Sequence, residues 1–165
     1  MSDDLRELYQ EVILDHGKNP RNLRQPEKTT HRAHGHNPLC GDQLDVFLNL
    51  GEDGMINDVS FEGRGCAISV ASASLMTEVL RGKTEAQVKA LFDNFHKMCA
   101  GGEGGDANVP DAEIEDDVDR LQVLAGVRQF PMRVKCATLA WHTMKAAMEG
   151  RREVNTEDAV TTCIY

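Results

Sequence analysis

Aromatic residues are scarce in this chain: five Phe, two Tyr and one Trp amount to 5% of 165 residues. A core must therefore rest on aliphatic side chains, alanine and methionine. No apolar run approaches the ~20 residues that cross a bilayer, so no membrane partner is expected. Cationic residues are in deficit too, with 18 Lys and Arg against 27 Asp and Glu and a formal net charge of -9. Phosphate backbones need clustered Lys and Arg, which argues against a nucleic-acid partner. No two of the five cysteines stand at the close C-x-x-C spacing of a zinc knuckle. Their odd number and the length of the chain speak against a disulfide framework. The start, Met1-Ser2-Asp3-Asp4, is acidic and runs straight into an amphipathic pattern, unlike a signal peptide. The expected setting is a reducing cytoplasm, where cysteines bind metals, catalyse or are simply buried.

What is present suits one domain over residues 1–165. Leu5, Leu8, Tyr9, Val12 and Ile13 recur at helical spacing, which predicts a first helix over about 3–16. Residues 18–28, with Pro20 and Pro26, read as connecting chain, and 29–36 as a short strand. Leu44, Val46, Leu48 and Leu50 alternate with Gln43, Asp45, Phe47 and Asn49, the period of a strand. Glu52-Asp53-Gly54 signals a turn, and the chain returns with Val59 and Phe61 on one face, giving an antiparallel hairpin. A small-residue helix is expected from Cys66 to Leu80. Thr84-Glu85-Ala86-Gln87 is a capping box that opens another, with the stripe Val88, Leu91, Phe92, Phe95 and Met98. The stretch at about 100–117 turns Gly-rich and acidic, an insertion expected as a mobile loop or partner-facing surface. Val118, Leu121 and Leu124 suggest a short helix, and Pro131 starts the last long one, ending at Gly150. Residues 151–165 are expected as a polar, peripheral tail.

The chain is organised around Asn37-Pro38-Leu39-Cys40-Gly41-Asp42, which sets a thiol and a carboxylate two residues apart where Pro and Gly forbid a helix. A hairpin brings its two flanks to one edge, so Cys40 and Asp42 become neighbours of Gly63-Arg64-Gly65-Cys66. Cys66 opens one helix and Cys136 lies early in another. Helix N-termini favour thiolate over thiol, and Arg64, Arg133 and Lys135 push the same way. Cys40, Asp42, Cys66 and Cys136 read as one site from three distant segments. Three thiolates and a carboxylate suit tetrahedral zinc, or an iron–sulfur cluster that must leave again. Cys99 and Cys163 read as ordinary cysteines. His31, His34 and His36 alternate as on one strand face, open to a reading as ligands but read first as surface histidines beside the site, His16 and His96 as plain helix residues, and His142 as too far from Cys136 to join.

At these residues the chain resembles the U-type iron–sulfur cluster assembly proteins. Asn37-Pro38-Leu39-Cys40-Gly41-Asp42, Gly65-Cys66-Ala67-Ile68-Ser69 and Arg133-Val134-Lys135-Cys136-Ala137-Thr138-Leu139-Ala140-Trp141 are similar to its signatures, in its order. So are Leu8 to His16 and Asn19-Pro20-Arg21-Asn22. Within that family it resembles the SufU branch: Lys135 stands where IscU scaffolds have His, and the acidic insertion precedes the last helix. The resemblance implies an α+β fold, a small antiparallel β-sheet packed with helices. It implies zinc on the residues matching Cys40, Asp42, Cys66 and Cys136, with iron or a [2Fe–2S] cluster as the alternative. It implies a SufS-like cysteine desulfurase that passes persulfide sulfur to Cys40, a sulfurtransferase-like role, and a downstream iron–sulfur scaffold as acceptor. The alternative role is a scaffold that assembles and transfers a [2Fe–2S] cluster. A Cys–His hydrolase with Cys40 as nucleophile is the more distant rival.

Overall fold

Period-two alternation becomes three antiparallel strands in the computed structural model, which describes residues 3–38, 41–100, 114–151 and 153–155. β1 (His31–Asn37) pairs with β2 (Asp42–Leu50), and β2 with β3 (Ile56–Arg64). Val46 faces Phe61 and Leu48 faces Val59 in the hairpin register, so these apolar side chains line one face, while Phe47 lies on the other, opposite Ser60. Ala33, Leu44, Val46, Leu48, Val59 and Phe61 on that face are all 2% exposed or less. Helices α2 (Ala67–Leu80) and α5 (Pro131–Met148) cover it, and α1 (Asp3–Lys18) packs on α2. The arrangement is the expected α+β fold. Among the described residues no helix is long and apolar enough to cross a membrane.

The capping box at the start of α3 (Glu85–Ala100) forms as read. The Thr84 N–H donates to Gln87 Oε1 (3.0 Å) and the Gln87 N–H to Thr84 Oγ1 (3.3 Å). The α3 stripe is buried, and Phe95 stacks on Trp141 of α5 with ring centroids 4.6 Å apart. Two segments differ from expectation. Residues 115–117, expected as loop, are the first turn of α4 (Glu115–Leu121), where Glu115, Asp116 and Asp117 complement the helix dipole. Buried Ile114 and Val118 anchor it, and Lys83 meets Asp117 at 3.0 Å. A 3-10 helix, Gln122–Gln129, then leads to α5. In the tail expected to be peripheral, β4 (Glu153–Asn155) joins the sheet parallel to β1. Three residues are too few to show a period. Residues 101–113 of the acidic insertion, and 156–165 with Cys163, lie outside the described residues.

The histidines were the least legible part. His34 and His36 share the sheet face away from the helices, but His31 has the opposite parity and cannot join them. His34 instead pairs with Asp45 of β2 at 3.0 Å. His16 is a buried tie rather than a plain helix residue. Its Nδ1 shares a hydrogen bond with Ser74 Oγ (2.7 Å), which accepts the Arg21 N–H (2.8 Å), while Nε2 faces Glu78 (3.5 Å). With Ser74 fully buried, this Ser–His–Glu row joins α1 to α2 and offers no nucleophile.

His142 lies edge-on to Phe92 and His96, 5.4 Å between centroids in each case. Burial first, then the charges of His96 and Lys145, lower its pKa to about 4. An unfolded chain takes up that proton near pH 6.5, so between 6.5 and 4 the unfolded state binds more protons than the folded one. Stability is therefore complete above pH 6.5 and falls as pH drops toward 4, by at most about 3 kcal/mol from this residue. Urea unfolding of wild type and His142→Gln at pH 7.5 and 5 should show a steeper loss in the wild type; parallel losses would remove His142 from the acid response.

Candidate metal centre

The reversal between β1 and β2 is closed by the Gly41 N–H donating to the Asn37 carbonyl (2.8 Å). Gly41 takes a φ of 74°, the left-handed region that glycine enters without strain. Asp42 follows as the first residue of β2 and is buried. Across from it β3 ends at Arg64, paired with Gln43, and the chain turns through Gly65 into α2. Cys66 is the N-cap of α2, its Sγ accepting the Ser69 N–H (3.4 Å). The Cys66 N–H donates to Asp42 Oδ1 (3.0 Å), and its Sγ lies 3.9 Å from Oδ2. This approach needs a glycine at 65: a Cβ there would stand 2.8 Å from Asp42 Oδ1. The third arm is α5, where Cys136 sits in the second turn, fully buried, with Asn37 Nδ2 donating to its Sγ at 3.8 Å.

Three of the four expected residues thus come together. One donor atom each from Asp42, Cys66 and Cys136 lies within 4.8 Å of the others. Cys40 lies outside the described residues, covalently next to Gly41 and two residues from Asp42. Pro38 and Gly41, which flank this stretch, are exposed. Zinc with sulfur at about 2.3 Å and oxygen at about 2.0 Å would set its ligands roughly 3.5–3.8 Å apart. The observed 3.9 Å between Cys66 Sγ and Asp42 Oδ2 is close to that already. The donor set fits a metal for a second reason. A buried carboxylate needs counter-charge, and Asp42 is met by one N–H and a thiol. Ser69 Oγ, also buried here, has no hydrogen-bond partner among the described residues.

The Cys66 pKa falls from 9.0 to about 6. The hydrogen bond from Cys136 lowers it most; burial opposes this, and the Ser69 N–H adds to it. The arginines that the sequence singled out are not the main cause. Arg133 feels the site in return: the charge of Cys66 and a hydrogen bond with Cys136 raise its pKa, and it is exposed. Asn37 is the site residue that sequence reasoning missed. Its signal was available in parity, since Ala33, Gly35 and Asn37 share the buried face of β1.

A family model for the NifU-like N terminal domain matches residues 8–137, a span that contains all four expected ligands. The chain belongs to this family. It is 37% identical to the iron–sulfur cluster assembly scaffold protein IscU of Streptococcus pyogenes serotype M1, over 88% of this chain and 85% of that one. It is also 37% identical to the zinc-dependent sulfurtransferase SufU of Bacillus subtilis (strain 168), over 86% of this chain and 90% of that one. Equal identity to both means that overall similarity does not separate the two roles. Among solved structures it is similar to a putative scaffold protein for the SUF system from Fervidobacterium islandicum. That match has a TM-score of 0.71 and 31% identity, covering 89% of this chain and 99% of that one.

Proposed function

We propose that this protein accepts sulfur as a persulfide on Cys40 from a cysteine desulfurase and carries it to an iron–sulfur scaffold. We further propose that Cys40, Asp42, Cys66 and Cys136 form the zinc site on which this depends. The observation that carries the reading is the gathering of Asp42, Cys66 and Cys136 within 4.8 Å beside the Cys40 loop. Zinc bound there would keep the thiolates deprotonated and the loop ordered. The chain's own residues do the rest. Asp42 supplies the oxygen donor and holds the start of α2 through the Cys66 N–H. Asn37 steadies Cys136. Arg133 presents positive charge where an anionic persulfide arrives.

In the transfer, the Cys40 thiolate attacks the outer sulfur of the partner's persulfide. A new sulfur–sulfur bond forms on Cys40, the partner's sulfur–sulfur bond breaks, and the partner's thiolate leaves with its electron pair. No net oxidation occurs. The scaffold role has the Streptococcus relative in its favour. Against it stands Lys135, where IscU scaffolds carry a histidine beside the last cysteine. The two readings separate in one comparison. Zinc-loaded protein should stay colourless and raise desulfurase turnover at least about tenfold. A brown protein after anaerobic reconstitution, able to pass its cluster to an apo-protein and without effect on turnover, would replace this reading by the scaffold.

A further inference from the structure

Four of the five phenylalanines and the tryptophan are 8% exposed or less, whereas Phe130 is 61% exposed. An exposed aliphatic residue such as Leu14 or Leu23 needs no special account, since single apolar side chains are common on surfaces. Phe130 differs in position. It is the N-cap of α5, the helix that carries Cys136, and its carbonyl receives the N–H groups of Arg133 (2.8 Å) and Val134 (3.2 Å). Its side chain makes no cap hydrogen bond, in a place where Ser, Thr, Asp or Asn would stabilise the helix. Phe at this position therefore forgoes both burial and a cap. Both losses fall at the start of the helix that carries Cys136, three residues before Arg133, which interacts with Cys66 and Cys136.

The charge near the cysteines is also out of character. On a chain of net charge -9, exposed Arg64 ends β3 next to the site and exposed Arg133 begins α5 above it. An aromatic anchor on the helix start that carries Arg133, with a second cation two residues from Cys66, suits a protein surface with an apolar pocket rimmed by carboxylates. We propose that Phe130, Arg64 and Arg133 form the docking face for the cysteine desulfurase, with Phe130 seated in an apolar pocket beside that enzyme's reactive sulfur. This inference rests on the sulfur-transfer reading above.

The test is calorimetric titration of the zinc-loaded full chain with the desulfurase, for wild type, Phe130→Ser and Phe130→Leu. Buried aromatic anchors dominate interface energies, so Phe130→Ser should raise the Kd about 30-fold. Phe130→Leu, which keeps an apolar group, should stay within about fivefold of wild type. Serine supplies the missing cap, so that variant should unfold at the same or higher urea concentration and retain its zinc. A loss of binding then reports the interface and not damage to the helix. Phe130→Ser binding within twofold of wild type would overturn the docking role and leave sulfur transfer standing. Wild-type protein that fails to bind the desulfurase at all would overturn both.

Discussion

Cys40→Ala is expected to accept no sulfur and to lose at least about a hundredfold of its stimulation of the desulfurase. The two other thiols of the site are poorly placed to substitute. Cys136 is fully buried and engaged by Asn37, and Cys66 is the N-cap of α2, tied to Asp42 through its own N–H. Attack on a persulfide requires a thiolate that an incoming sulfur can reach. The exposed Pro38 and Gly41 bracket the segment in which Cys40 stands. Intact-mass spectrometry after incubation with desulfurase and cysteine reads the outcome directly, as a gain of one sulfur in the wild type and none in the variant. Full sulfur transfer to Cys40→Ala would remove this residue from the mechanism.

Asp42→Ala should weaken zinc retention at least about a hundredfold, and should also destabilise the metal-free protein by about 1–2 kcal/mol. The two effects have separate causes. The first is loss of a ligand. The second is the Cys66 N–H left without its acceptor at the start of α2. Asp42→Asn separates them, because an amide oxygen still accepts that N–H but carries no charge to bind a cation. Chelator competition should rank wild type far above both variants. Urea unfolding without metal should place Asp42→Asn near wild type and Asp42→Ala below it. Zinc retention unchanged in Asp42→Ala would show that the carboxylate has a structural role alone.

The legible parts of this molecule were those written in local pattern. Period-two alternation between Leu44 and Leu50, the turn at 52–54 and the capping box at Thr84 each specify a conformation from neighbours in sequence. The meeting of Asp42 and Cys66 was legible because a hairpin forces its flanks together whatever the long-range packing. What remained hidden depends on distant partners. β4 exists because the edge of β1 is open to it, and α4 because Ile114 and Val118 find a core to enter. His16 reads as one more helix residue until Ser74, 58 positions away, gives it a hydroxyl to bind. The strong effect of Cys136 on Cys66 likewise depends on two helix starts meeting, where the sequence pointed to nearby arginines.

The central claim is that residues from three separate segments share one metal ion, and zinc K-edge X-ray absorption of the purified, zinc-loaded protein addresses it most directly. The account predicts a first shell of three sulfurs at about 2.3 Å and one oxygen at about 2.0 Å, with one sulfur fewer in Cys66→Ala. A shell of nitrogen and oxygen with no sulfur, or one that is unchanged in Cys66→Ala, would contradict it.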